Sequence, residues 1–299
     1  MTRWTVSHSL LILLALFSLA ACDSGSGGGD TVPTAAVEQG GDADPVAATG
    51  EAEDAETAAA TEPELTVIAE TLPYAEVDNA LVYGHFVFPA DMVDPLPGLI
   101  VIHEWWGLND DIRAMADRIA AQGYVVLAVD LFGGHSSKSP DDARAMLIDV
   151  VENPDSANNN IRQAYEFLAQ SGEAPKIGAI GWDFGGGWSL NTAIMLPDDL
   201  DAAVIYYGQV TDDEARLTPL NAPLLGLFAE NDRGIPADTV HAFERALDNL
   251  GKTYEIEIYP GAEHSFAMPS ATNYNAEVAE QAWSRTVEFL DRHLSGEVD

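Results

Sequence analysis

Cysteine is almost missing from this chain: Cys22 is the only one among 299 residues. A single thiol cannot close an intramolecular disulfide, so no disulfide scaffold supports the fold. Basic charge is also scarce. Lys138, Lys176 and Lys252 are the only lysines, and 13 Lys and Arg face 49 Asp and Glu, for a formal charge of −36. That imbalance argues against nucleic acid or an anionic bilayer surface as a partner. It suits a surface kept solvated at high ionic strength, where salt screens self-repulsion. Long apolar runs are missing too. The longest, Leu10 to Ala21, is shorter than the roughly 20 residues a membrane-spanning helix needs.

What the N-terminus does hold is an export pattern. Arg3 supplies a positive start and Leu10 to Ala21 an apolar region, as in a secretory signal. The segment ends Leu19-Ala20-Ala21-Cys22, which resembles a bacterial lipobox. The resemblance implies cleavage after Ala21 and lipidation of Cys22; an ordinary secretory peptide cut at the same bond is the alternative. Asp23 resembles an inner-membrane retention signal of some Gram-negative bacteria. From Asp23 to Glu64 there are eleven acids, no Lys or Arg and no aromatic residue. Such a segment cannot bury enough apolar area to offset its ordering entropy. The expected plan is a signal peptide at 1–21, an acidic disordered tether at 22–64 and a folded domain at 65–299. The domain would be exported and lipid-anchored, facing the periplasm or the cell exterior, with the anchor its only membrane contact.

From Leu65 the pattern changes. Leu65 to Ala69 and Leu81 to Phe88 are short β-branched and aromatic runs and predict an antiparallel entry. Leu99-Ile100-Val101-Ile102 is continuously apolar, as a strand buried on both faces should be. Residues 110–122 have helical spacing, with Asn109 or Asp110 as cap and Gly123 as stop. Tyr124 to Val129 predicts a strand, and residues 141–171 predict two helices broken near Asn153-Pro154. Further strands are expected at Ile177 to Ile180, Ala202 to Tyr206, Leu224 to Ala229 and Tyr254 to Tyr259. Helices are expected from about Pro236 to Leu250 and from Glu277 to Leu294. Strands alternating with helices predict a doubly wound, mostly parallel α/β sheet.

One turn stands out. Gly181-Trp182-Asp183-Phe184-Gly185-Gly186-Gly187 lies between a predicted strand and a predicted helix from Trp188 to Leu196. A strand, a tight turn flanked by glycine and a helix form the nucleophile elbow of an α/β-hydrolase. The central residue is neither Ser nor Cys but Asp183. In doubly wound sheets, sites form at the carboxyl ends of the strands. There the chain places His103-Glu104-Trp105-Trp106-Gly107, then Asp183, then Glu230-Asn231-Asp232, then Gly261-Ala262-Glu263-His264-Ser265-Phe266. Elbow residue, acid, histidine is the chain order an α/β-hydrolase requires. Each piece has a plainer reading: His264 as a surface histidine, Asp232 as a cap or turn residue, Glu104 as a rim charge, the tryptophans as core. Together they point to Asp232 orienting His264 beside the elbow.

Residues 65–295 resemble the dienelactone hydrolase family. The resemblance rests on Glu104-Trp105-Trp106-Gly107, Asp130-Leu131-Phe132-Gly133, the elbow, Asp232 and Gly261-Ala262-Glu263-His264-Ser265-Phe266. It implies a hydrolase with Asp183, Asp232 and His264 as its triad-like site, and with Glu104 controlling ionisation of the elbow residue. It also implies an oxyanion hole from the backbone N–H groups of Phe184 and Trp105, which do not depend on the side chain at 183. Two departures matter. The family's elbow residue is a cysteine, and its substrate-binding arginine, four residues after the histidine, is here Met268. A small, less charged ester or lactone is therefore the expected substrate.

An aspartate narrows the chemistry further. After attack on an ester carbonyl, carboxylate is a far better leaving group than alkoxide, because its conjugate acid has a pKa of roughly 4. The adduct reverts, and an acyl-aspartate route is disfavoured. Attack on saturated carbon is not: Asp183 could displace halide or open an epoxide, forming an alkyl ester that water then cleaves. Enzymes of that kind usually carry an inserted cap, and only residues 209–221 separate the strands where it would sit. Otherwise His264 or Asp183 activates water directly. A non-catalytic ligand-binding lipoprotein is the reading from a different class. No metal-ligand spacing appears, and neither a metal nor another cofactor is expected. Oligomeric state is not legible.

Overall fold

The computed structural model describes residues 65–295; the signal segment, Cys22 and the tether lie outside the described residues. Eight strands form one sheet in the order β1-β2-β4-β3-β5-β6-β7-β8. The strands β1 (Val67–Val77) and β2 (Ala80–Pro89) make an antiparallel entry, and β2 runs antiparallel to β4 (Val125–Val129). The remainder, β3 (Gly98–Ile102), β5 (Ile177–Trp182), β6 (Ala202–Tyr206), β7 (Leu224–Ala229) and β8 (Tyr254–Tyr259), are joined in parallel. This is the doubly wound α/β-hydrolase architecture the strand pattern predicts.

The first strand is longer than its apolar run. Pairing continues past Ala69 through Thr71↔His85 to Val77↔Ala80, with an irregularity between Pro73 and Ala75. Proline interrupts a strand pattern, yet an edge strand tolerates it because one side of its backbone faces solvent. Asp78 and Asn79 close the hairpin with φ of 51° and 64°, the left-handed conformation that a two-residue turn needs.

Alternation along the buried strands divides the core. Ile100 and Ile102 face a layer built by α3 (Pro154–Gln170), α4 (Phe184–Met195) and α6 (Ala237–Asn249). Leu99 and Val101 face a second layer built by α1 (Asp110–Ala120) and α7 (Ala276–Leu294). On α1 the buried stripe is Ile112, Met115, Ala116 and Ile119; each large apolar side chain there contributes about 1.5–3 kcal/mol. Asn109 caps that helix by accepting from Ile112 N–H at 3.1 Å. The helices α2 (Pro140–Glu152) and α3 meet at Asn153, as the Asn-Pro pair predicts. The loop between β6 and β7 carries only the four-residue α5 (Glu214–Leu217), which the sequence pattern did not predict, and no cap domain.

Candidate active site

Asp183 sits between β5 and α4 with φ 52° and ψ −114°. L-residues rarely adopt that conformation, and it costs about 1–3 kcal/mol. Its neighbours show what holds it. A Cβ on Gly181 would lie 2.1 Å from Gly185 O, and one on Gly185 would lie 2.2 Å from Ile102 O. The elbow is thus packed backbone to backbone against the end of β3. Asp183 N–H donates to Tyr206 O at 3.0 Å, tying the turn to the end of β6 as well.

The loops after β7 and β8 bring the other two residues in. His264 Nδ1 lies 2.6 Å from Asp232 Oδ2, and Nε2 lies 3.2 Å from Asp183 Oδ1. The imidazole therefore bridges two carboxylates. Asp232 is buried, and its second oxygen accepts from Gly234 and Ile235 N–H at 2.8 and 3.0 Å. The turn role and the orienting role coexist, one on each oxygen. Burial alone would lower the pKa of His264, but hydrogen bonds to Asp183 and Asp232, with their charges, overcome it and push it up to about 10. At neutral pH the group is an imidazolium between two carboxyls.

Glu104, directly after β3, is buried, and its Oε1 makes no hydrogen bond among the described residues. Burial, with the charge of Asp183 adding and that of His264 opposing, raises its pKa to about 8. It carries its proton at neutral pH. The rim-charge alternative for Glu104 does not hold. Trp105 and Trp106 are half-buried, with ring centroids 4.3 Å apart, and are not among the buried core residues.

Phe184 is the first residue of α4, so its N–H is one of the amides that has no acceptor within the helix. Met268 is buried at 1% exposure, with no cation at that position. Two residues near the site had no assigned role in the sequence pattern. His103 is fully buried and bonded on both ring nitrogens. Tyr207 follows β6 with φ 36°, fully buried, its ring 5.1 Å from that of His264. Its place directly after a strand was the available signal.

The dienelactone hydrolase family model matches residues 83–294. Protein usf of Aquifex pyrophilus is 32% identical over 208 residues, which cover 67% of this chain and 89% of that protein. A protein of Saccharolobus solfataricus, provisionally named carboxymethylenebutenolidase, is 28% identical over 242 residues, 69% of this chain and 93% of its own. Among solved structures, a Klebsiella pneumoniae protein provisionally named dienelactone hydrolase superposes with a TM-score of 0.69 at 25% identity. That match covers 76% of this chain and 99% of the other.

Proposed function

Because the chain belongs to the dienelactone hydrolase family and is by that kinship a hydrolase, we propose that it cleaves a small, uncharged ester or lactone by proton transfer between Asp183 and His264. The observation that carries this reading is the placement of His264 Nε2 at 3.2 Å from Asp183 with Asp232 behind it at 2.6 Å. An imidazolium held that way cannot start as a base. It can finish as an acid.

In this mechanism Asp183 takes a proton from a water molecule as the water oxygen attacks the carbonyl carbon. The N–H groups of Phe184 and Trp105 hold the oxygen that becomes negative. The adduct then breaks its bond to the leaving oxygen, and His264 Nε2–H gives that oxygen its proton. Asp183 returns its own proton to His264 across the contact between them, and the resting pair is restored. The His264 imidazolium is already matched by Asp183 and Asp232, and Met268 supplies no further cation for an anionic substrate, which supports an uncharged one. Relatives named carboxymethylenebutenolidase support ester or lactone chemistry over other hydrolysis.

A second reading has its own support in the one-quarter exposure of the Asp183 side chain, which leaves the carboxylate open to attack saturated carbon in an epoxide or haloalkane. Single turnover in heavy-oxygen water separates the two. The proton-transfer reading expects label in the product acid and none in Asp183; label in Asp183 overturns it in favour of an alkyl-enzyme ester. On a panel of aryl esters, lactones, epoxides and haloalkanes, Asp183→Asn and His264→Ala should each lower ester turnover by about 10²–10⁴-fold, the usual range for a positioned acid or base. Wild type inert toward the whole panel, with esterase activity in Asp183→Cys, would favour a binding protein. We further propose that Cys22 carries a lipid and that residues 22–64 tether the domain outside the cytoplasm, supported by the Leu19-Ala20-Ala21-Cys22 pattern and the acidic run.

A further inference from the structure

His103 is enclosed at 0% exposure beside the site, and both of its ring nitrogens are committed to backbone. Nδ1 lies 2.7 Å from Glu104 O, and Nε2 lies 3.1 Å from Leu131 N. A carbonyl only accepts and an amide only donates, so these partners assign the neutral tautomer with hydrogen on Nδ1. Burial favours the same neutral form. The ring packs in a cluster with Phe132 and Phe184, its centroid 4.6 Å and 6.0 Å from theirs.

The Glu104 carbonyl has a second donor. Gly107 N–H reaches it at 3.1 Å, closing a tight turn around Trp105 and Trp106. In a trans peptide the carbonyl and the following N–H point in opposite directions. The peptide whose oxygen is held by His103 and Gly107 is the one whose nitrogen belongs to Trp105. Fixing the oxygen toward His103 turns the Trp105 N–H away from that ring.

We infer that His103 is a positioning residue: by holding the Glu104 carbonyl it orients the Trp105 N–H as an oxyanion donor. The inference rests on the oxyanion role given to Trp105 in the proposed function. His103 touches neither water nor substrate and acts only through this peptide.

Two variants of the full chain separate positioning from mere support. In His103→Asn the amide nitrogen replaces Nδ1–H, while the acceptor for Leu131 N–H is lost. In His103→Gln the amide oxygen reaches toward Leu131 N–H, while the donor to Glu104 O is lost. Both lose the ring packing against Phe132. Against aryl esters, His103→Asn should keep kcat within about threefold, and His103→Gln should lose about 10–100-fold with KM within about twofold, short of the 10²–10³ for deleting a donor outright. Equal losses in the two variants, or none in either, overturn the inference. The same pair in an Asp183→Cys background, read as the burst of p-nitrophenyl acetate acylation, does not depend on how Asp183 acts. Wild type without ester turnover, but with the Asn/Gln difference present in that burst, would sink the proton-transfer reading and leave this one standing. Crystal structures of the two variants give a readout that needs no turnover. The Trp105 N–H should keep its direction in His103→Asn and rotate in His103→Gln, and one orientation in both overturns the inference.

Discussion

Glu104→Gln isolates the cost of enclosing a carboxyl beside Asp183. The glutamate is 5% exposed, its Oε1 is unpartnered among the described residues, and its pKa is raised from 4.5 to about 8 by burial first and by the charge of Asp183 second. A carboxyl raised in this way holds its proton more tightly folded than unfolded. Its contribution to stability is greatest below the unfolded value of 4.5 and declines as pH climbs to about 8. At 1.36 kcal/mol per unit, the interval from pH 5.5 to 8 corresponds to about 3 kcal/mol. Glutamine keeps the shape and removes the ionisation. Urea titrations of both proteins, followed by tryptophan fluorescence from pH 5.5 to 8.5, should show Glu104→Gln gaining about 3 kcal/mol on wild type over that range. For a domain of this size the same gain is roughly 6–12 °C in Tm. The pH range stays clear of the pI of about 4.1, where association would confuse the transitions. His264 contributes stability that is present below 6.5 and lost through about 10, but it does so in both proteins and drops out of the difference. Parallel stability curves, or a difference that moves toward wild type at high pH, would refute the buried neutral carboxyl.

The imidazolium predicts the sign of the pH–rate profile. With His264 as acid, kcat/KM for an aryl ester should persist past neutrality and fall as the histidine loses its proton near pH 10; a rate that climbs through pH 6–7 instead would make it a base. Gly185→Ala forces a Cβ to within 2.2 Å of Ile102 O and should destabilise by about 3 kcal/mol or more, read as a lower urea midpoint; an unchanged midpoint would deny the tight elbow packing. The formal charge of −36 predicts a Tm that rises from low to molar salt, and a flat or falling Tm counts against self-repulsion. Cys22→Ser should abolish metabolic fatty-acid labelling and move the protein out of the membrane pellet, whereas equal labelling of both forms would end the anchor proposal.

Where sequence reading succeeded, one residue type served one period. The runs Leu99–Ile102, Leu224–Ala229 and Tyr254–Tyr259 carried the parallel strands, and Asn153-Pro154 carried a helix break. The extent of β1 was hidden because Pro73 and a polar exposed face mask an edge strand. The candidate site was legible as a set of positions, since strand ends and chain order bring Asp183, Asp232 and His264 together in any fold of this class. Its electrostatics were not. That His264 touches both carboxylates, and that Glu104 is enclosed with its Oε1 unpaired among the described residues, depends on loop conformations after β7, β8 and β3 with no periodic signal. His103 was placed correctly at a strand end, yet its role lies in the direction of a peptide plane, which no spacing encodes.

On the proposed mechanism, an aspartate at the elbow alters the reaction more than the charge pattern of the site. In a cysteine–histidine pair the reactive resting state is a thiolate beside an imidazolium, one negative and one positive charge. Asp183 beside His264 carries the same two charges on the same two elements, 3.2 Å apart, with Asp232 still behind the ring. A neutral elbow residue would leave His264 with a single carboxylate and Glu104 without the charge that adds to burial in raising its pKa. Aspartate preserves both pairings, so the burial of Glu104, the orientation of His264 and the backbone donors remain compatible with one another. The proposed mechanism has no acyl-enzyme, because a carboxylate leaves the adduct more readily than an alkoxide does. The charge pattern favours a water-using hydrolase over a collapsed site, and it places the decisive measurement on Asp183 itself: whether that carboxylate ever forms a bond to carbon.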